Sequence, residues 1–185
     1  MDEKESLRLI TEMIDAARNR VRKGEGNISM AWGYVVMLAS LGHFFADRAG
    51  YPAEAPYAWL LIFGAILYTL VFSIRQQKKD RTSTHIDRIL DHLWLGFSIC
   101  MMTIGFMGAQ MGNASFSVIE LFYGLALFVS GAAFRFKPLI YGGIWCWIAA
   151  WVSLFVEFPY HLLILAASVL GYILPGWLLN RKAYV

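Results

Sequence analysis

Seven polar side chains stand out because apolar residues surround them. His43, Asp47, Gln110, Asn113, Glu120, Glu157 and His161 all fall near one set of ends of long apolar stretches. Imidazoles and carboxylates bind and release protons and hold cations. An ionisable group inside a membrane segment is costly enough to mark a functional site. Asp47 follows His43 at i+4, so the two share a helix face. Glu120 is the deepest acid, set between Ile119 and Leu121, and is the candidate proton carrier. In a compact bundle these residues would line one outward-facing vestibule for a cation or small solute. The alternative is a solvated rim, since most of them lie within snorkelling reach of the headgroups, where polarity costs little.

The elements that must position these residues are written in the composition. The chain has 185 residues, 58% of them hydrophobic and 16% charged, against roughly 45–50% and 25% in soluble domains. Lipid is the solvent this implies. Six apolar stretches, about 28–46, 57–74, 93–111, 116–134, 139–156 and 159–179, each approach the ~20 residues needed to cross a bilayer. Each must be helical, because lipid offers backbone groups no partner. The expectation is an all-α polytopic bundle of six spans, with a linker and amphipathic helix over 1–27, a transmembrane domain over 28–180 and a tail over 181–185.

Charge sets the orientation. Of the 16 Lys and Arg residues, all but Arg48 fall at the N-terminus, between spans two and three, between spans four and five, or in the tail. By the positive-inside rule both termini are cytoplasmic, in a cytoplasmic or inner membrane. Trp32, Trp94 and Trp177 would mark the inner interface, and Tyr57 and Trp59 the outer. Pro138 and Pro159 stand where no helical amide bond is lost. Pro175-Gly176 should kink the sixth span. A net charge of +3 spread in this way is a membrane signature, with no nucleic-acid partner indicated.

Two helices need not cross. Residues 2–23 carry Leu7, Ile10, Ile14 and Val21 as a stripe at helical spacing, with acids early and bases late. Such a helix lies on the headgroups or docks a cytoplasmic protein partner or a second subunit. Residues 84–93 form another stripe that runs into span three. There His85 and His92 share a face but stand too far apart along the axis to hold one ion, so they read as a solvated polar face.

Weaker features complete the inventory. The turns at Pro56-Tyr57 and Pro159-Tyr160 hint that spans one–two and five–six are copies of one hairpin. Gly105, Gly108, Ala109 and Gly112, with Ala167 and Gly171, offer close-approach faces within or between subunits of a homo-oligomer. Cys100 and Cys146 read as packing residues. No P-loop, HExxH, GxSxG or potassium-filter motif is present, and no cofactor is predicted.

The pattern resembles small six-span inner-membrane proteins of bacteria. The likeness rests on Glu5-Ser-Leu-Arg-Leu-Ile10, Ala31-Trp-Gly33 and Gly171-Tyr-Ile-Leu-Pro-Gly-Trp-Leu-Leu179. It covers the whole chain and implies a fold, with no activity or catalytic residue to carry over. The leading functional expectation is a small transport or permeation protein. Behind it stand a membrane-anchored regulator or scaffold acting through the N-terminal helix, and a metal-dependent enzyme on a lipid-soluble substrate.

Overall fold

The computed structural model of the protein describes residues 25–77, 85–112 and 114–182. The segment 2–23 with its docking candidates Leu7, Ile10, Ile14 and Val21 lies outside the described residues, as does Asn113. The regular elements are helices: α1 Glu25–Arg48, α2 Leu61–Gln77, α3 His85–Met111, α4 Ala114–Ala133, α5 Lys137–Ser153, α6 His161–Ser168 and α7 Leu170–Lys182. A 3-10 turn over Ala55–Leu60 leads into α2.

Five stretches are long and apolar enough to cross a membrane: Gly26–Arg48, Ala55–Arg75, Arg88–Gly108, Ala114–Ala133 and His161–Arg181, with mean hydropathy from 1.4 to 2.1. The chain is a multi-pass membrane protein. The remaining expected span, 139–156, is shorter than its sequence suggests. α5 has 17 residues, about 25 Å of helix. It stops at Ser153, where the amides of Leu154 and Phe155 tighten onto the carbonyls of Trp151 and Val152. Phe158-Pro159 then disfavours a return to helix.

The bundle centre is α1, α4, α5 and the α6–α7 pair. α4 and α5 run antiparallel, as do α5 and α7, and α1 and α7. Glycines allow these backbones to touch. A Cβ on Gly142 would collide with the carbonyl oxygen of Gly171, and one on Gly143 would come within 2.6 Å of that of Gly124. At the other interface a Cβ on Gly26 would meet the Gly176 carbonyl. Such small-residue seams hold helices where lipid provides no hydrophobic drive. Between them sits a core of Val36, Leu127, Leu139, Cys146, Leu165 and Val169, with Tyr123 stacked on Tyr172 at 5.2 Å and 10°.

α2 and α3 are peripheral. α2 leans on α1, with Trp32 donating to the Thr69 hydroxyl at 2.9 Å. α3 packs on α4 through Phe97 and Tyr123, 4.7 Å apart. Phe63, Leu67, Leu70 and Ile74 on α2 and Leu95, Ile99, Met102 and Phe106 on α3 stay exposed, as lipid-facing residues do. The suggested hairpin copies therefore differ in role: 6% of the α2 span is buried against 61% of the α6–α7 span. The irregularity in that last span falls at Val169, ahead of Pro175, which continues inside α7. Ser168 turns its hydroxyl onto the Leu165 carbonyl at 2.8 Å, a local bond that competes with the helix ladder.

Candidate functional site

The expected polar residues separate into two sets. Gln110 and Glu157 are exposed, and Asp47 is half-buried at the end of α1. His43 is also half-buried, within electrostatic reach of Asp47. Its Nδ1 accepts a hydrogen bond from the Trp59 indole N–H at 2.9 Å. Glu120 and His161 belong to the interior, with 0% and 2% of their surface exposed.

An aromatic cap divides the sets. The Phe158 ring lies 5.8 Å from His43 and 6.5 Å from Phe116. Phe116 in turn lies 5.7 Å from His161. Phe44 meets Tyr160 at 6.1 Å, with the Arg48 guanidinium 6.0 Å from the same Tyr160 ring. These rings join α1, α4 and the α5–α6 loop at this end of the bundle. Edge and tilted contacts of this kind are attractive beyond their area. The Trp59–His43 bond ties α1 to the 3-10 turn.

Several buried polar side chains in the bundle lack hydrogen-bond partners among the described residues, Ser130 included. Among the described residues, neither carboxyl oxygen of Glu120 has a hydrogen bond. Nor do His161 Nδ1 or the hydroxyls of Ser40, Ser117 and Ser153. All five side chains are buried, and they come from α1, α4, α5 and α6. Ser117 and Phe116 precede Glu120 by three and four residues, so the carboxyl sits about one turn deeper than the ring that touches His161.

The position of α5 is fixed by donors to neighbouring backbones. Trp147 donates to Leu121 O at 3.2 Å, Trp145 to Ala167 O at 3.0 Å and Cys146 to Ser168 O at 3.6 Å. Extending these antiparallel registers by about two turns brings Ser153 level with Ser117 on one side and His161 on the other. Glu120 lies within electrostatic reach of the buried Cys146 thiol.

Buried polar groups are nearly always hydrogen-bonded, so a cluster of orphans in one bundle calls for an explanation. A mobile proton, a small cation or transient water would supply the missing partners. Among the described residues, no three His, Cys, Asp or Glu side chains converge as metal ligands would. The set is one carboxyl, one imidazole and three hydroxyls, a chemistry suited to proton exchange.

Sequence reasoning picked out Glu120 and His161 and passed over Ser40, Ser117 and Ser153. The signal was present in part. Ser117 stands at i−3 from Glu120 and Ser40 at i−3 from His43, each on the face of a singled-out residue. Comparison with family models, curated proteins and solved structures finds nothing that matches this chain.

Proposed function

We propose that this protein is a six-span carrier of the cytoplasmic membrane that moves protons, or a small cation in exchange for protons, through an occluded site built on Glu120 and His161. The observation that carries the reading is the Glu120 carboxyl, fully buried in a membrane helix with neither oxygen bonded among the described residues. A bundle keeps such a group against its cost when the group works. His161, at the N-terminus of α6, is the second proton acceptor, and the serine hydroxyls relay between them. The aromatic cap closes the outer side, and movement of Phe158 with the Trp59–His43 contact opens it.

Helix directions support six crossings. α4 and α7 both run antiparallel to α5 and are therefore parallel to each other. Two parallel spans need a return crossing between them, and α5 is the helix that fills that place. Both termini then share the side that carries the basic residues, the cytoplasmic side by the positive-inside rule.

The test is proton flux into liposomes carrying the purified protein and an internal pH dye. Glu120→Gln keeps shape and removes the exchangeable proton. Flux should fall to the level of empty vesicles while the variant still elutes as a single folded species. Unchanged flux in that variant removes Glu120 from the pathway and with it this reading.

A further inference from the structure

On the opposite side of α4 from α5, a groove of about 310 Å³ opens between α3 and α4. Gly96, Phe97 and Cys100 line it from α3, and Phe122, Leu125 and Ala126 from α4. It is apolar along its length, with His92 at one end. From His92 to Cys100 it follows α3 for about 12 Å. Gly96 holds it open, since a Cβ there would meet nothing within 4 Å. The volume is at the low end of ligand pockets and suits one hydrocarbon chain.

The His92 end is cationic. Arg88 stands one turn before His92 on the same face of α3 and is exposed. The antiparallel pairing of Phe97 with Tyr123 puts the C-terminal end of α4 beside this end of α3. There the turn carries exposed Arg135, in the left-handed region at φ 50°, and Lys137. Asp87 and Asp91 are the acids at this end of α3, with Asp91 next to His92 in sequence. The Nδ1–H of His92 donates to the Arg88 carbonyl at 2.7 Å. The candidate span begins at Arg88, so this end lies at headgroup depth.

We propose that the α3–α4 groove seats one acyl chain of an anionic phospholipid, with the phosphate held at the Arg88–His92 end. The apolar bed takes the chain. Arg88, Arg135 and Lys137 outweigh Asp87 and Asp91 and select the negative headgroup, as basic pockets between membrane helices do. The site is separate from the Glu120 cluster. It makes α3, a helix that among the described residues packs on the bundle mainly through α4, depend on lipid for its seating.

Native mass spectrometry of delipidated protein in mild detergent tests this, with phosphatidylglycerol and phosphatidylcholine of matched chains added in turn. Phosphatidylglycerol should remain bound in preference, with a selectivity of about fivefold for each basic residue engaged. Arg88→Gln should cut that selectivity about fivefold and leave phosphatidylcholine binding unchanged. Gly96→Phe fills the groove and should abolish retention of the anionic lipid. Alkylation of Cys100 in the unsubstituted protein gives a readout independent of any variant's folding, and phosphatidylglycerol should slow it where phosphatidylcholine does not. Equal retention of the two lipids, unchanged retention in a folded Gly96→Phe protein, or Cys100 modification indifferent to lipid overturns the proposal. A dimer whose formation shields Cys100 without lipid also overturns it, by giving the groove to a second copy.

Discussion

Replacing Glu120 by Leu should make the protein more stable and inactive. The side chain is fully buried and its carboxyl oxygens have no partner among the described residues. An unsatisfied buried polar group costs about 1–3 kcal/mol. Leu has similar bulk, removes that cost and adds apolar contact against Cys146 and the surrounding core, so a gain of about 2 kcal/mol is expected. In a protein of this size that corresponds to roughly 4–8 °C in the unfolding midpoint. Glu120→Gln keeps an orphan polar group and should stay within about 0.5 kcal/mol of the unsubstituted protein. The assay is thermal unfolding in detergent for all three proteins, with vesicle flux measured on the same preparations. Stability should run Leu above Gln and the unsubstituted protein, and flux should survive in the unsubstituted protein alone. A loss of more than about 1 kcal/mol in the Leu variant would mean that the carboxyl is held by compensating bonds, which refutes the orphan argument. Retained flux in a stabilised Leu variant would refute the function while leaving the energetics intact.

Three further outcomes follow from the packing. Gly142→Ala drives a methyl into the Gly171 carbonyl, where backbone faces backbone, and should cost about 3 kcal/mol or more. Gly105→Ala, with open space around it, should be neutral or stabilising by up to about 1 kcal/mol; comparable losses at both sites would contradict the α5–α7 seam. On the proposed six-span reading, tags at the two termini should report the same side of the membrane in protease protection of oriented vesicles, whereas opposite sides would leave five crossings. Phe155→Asp should reduce membrane insertion or stability by roughly 1–3 kcal/mol, the depth-graded cost of a charge in the bilayer, whereas a neutral effect would put the α5–α6 loop in water.

Five of the six expected spans were legible because lipid imposes a strong pattern. Apolar length, helical necessity and charge asymmetry act residue by residue and need no tertiary information. The long α3 was also readable, since the stripe Ile86, Ile89, Leu90 and Leu93 continues into the span without a break. What the sequence could not show was depth. His161 and Glu157 lie four residues apart near the same apolar stretch, yet one is buried and the other exposed. Part of the difference comes from Phe116, whose ring lies against His161 from a different helix. Serines are ordinary at helix interfaces, so Ser40, Ser117 and Ser153 carried no mark until their burial without partners was seen together with Glu120.

The shortness of α5 bears on the depth of His161 in the bundle. At about 25 Å the helix falls short of a ~30 Å hydrocarbon core, so its outer end stops below the interface. The loop that follows must begin at that depth. Its residues suit lipid: Leu154 and Phe155 are 58% and 81% exposed in the protein, as apolar groups facing acyl chains would be. A sunken loop draws the first turn of α6 inward, and His161 with it. Phe158, Phe116, Phe44 and Tyr160 then roof the depression that a full-length α5 would have filled with helix. The same glycine seams that bring α5 against α4 and α7 hold Ser153 at the bottom of this depression, level with Ser117. The rigid backbone contacts thus offset the orphan polar groups beside a cap built from ring contacts and one indole–imidazole bond. On the proposed reading, a proton bound at Glu120 would enter past this cap.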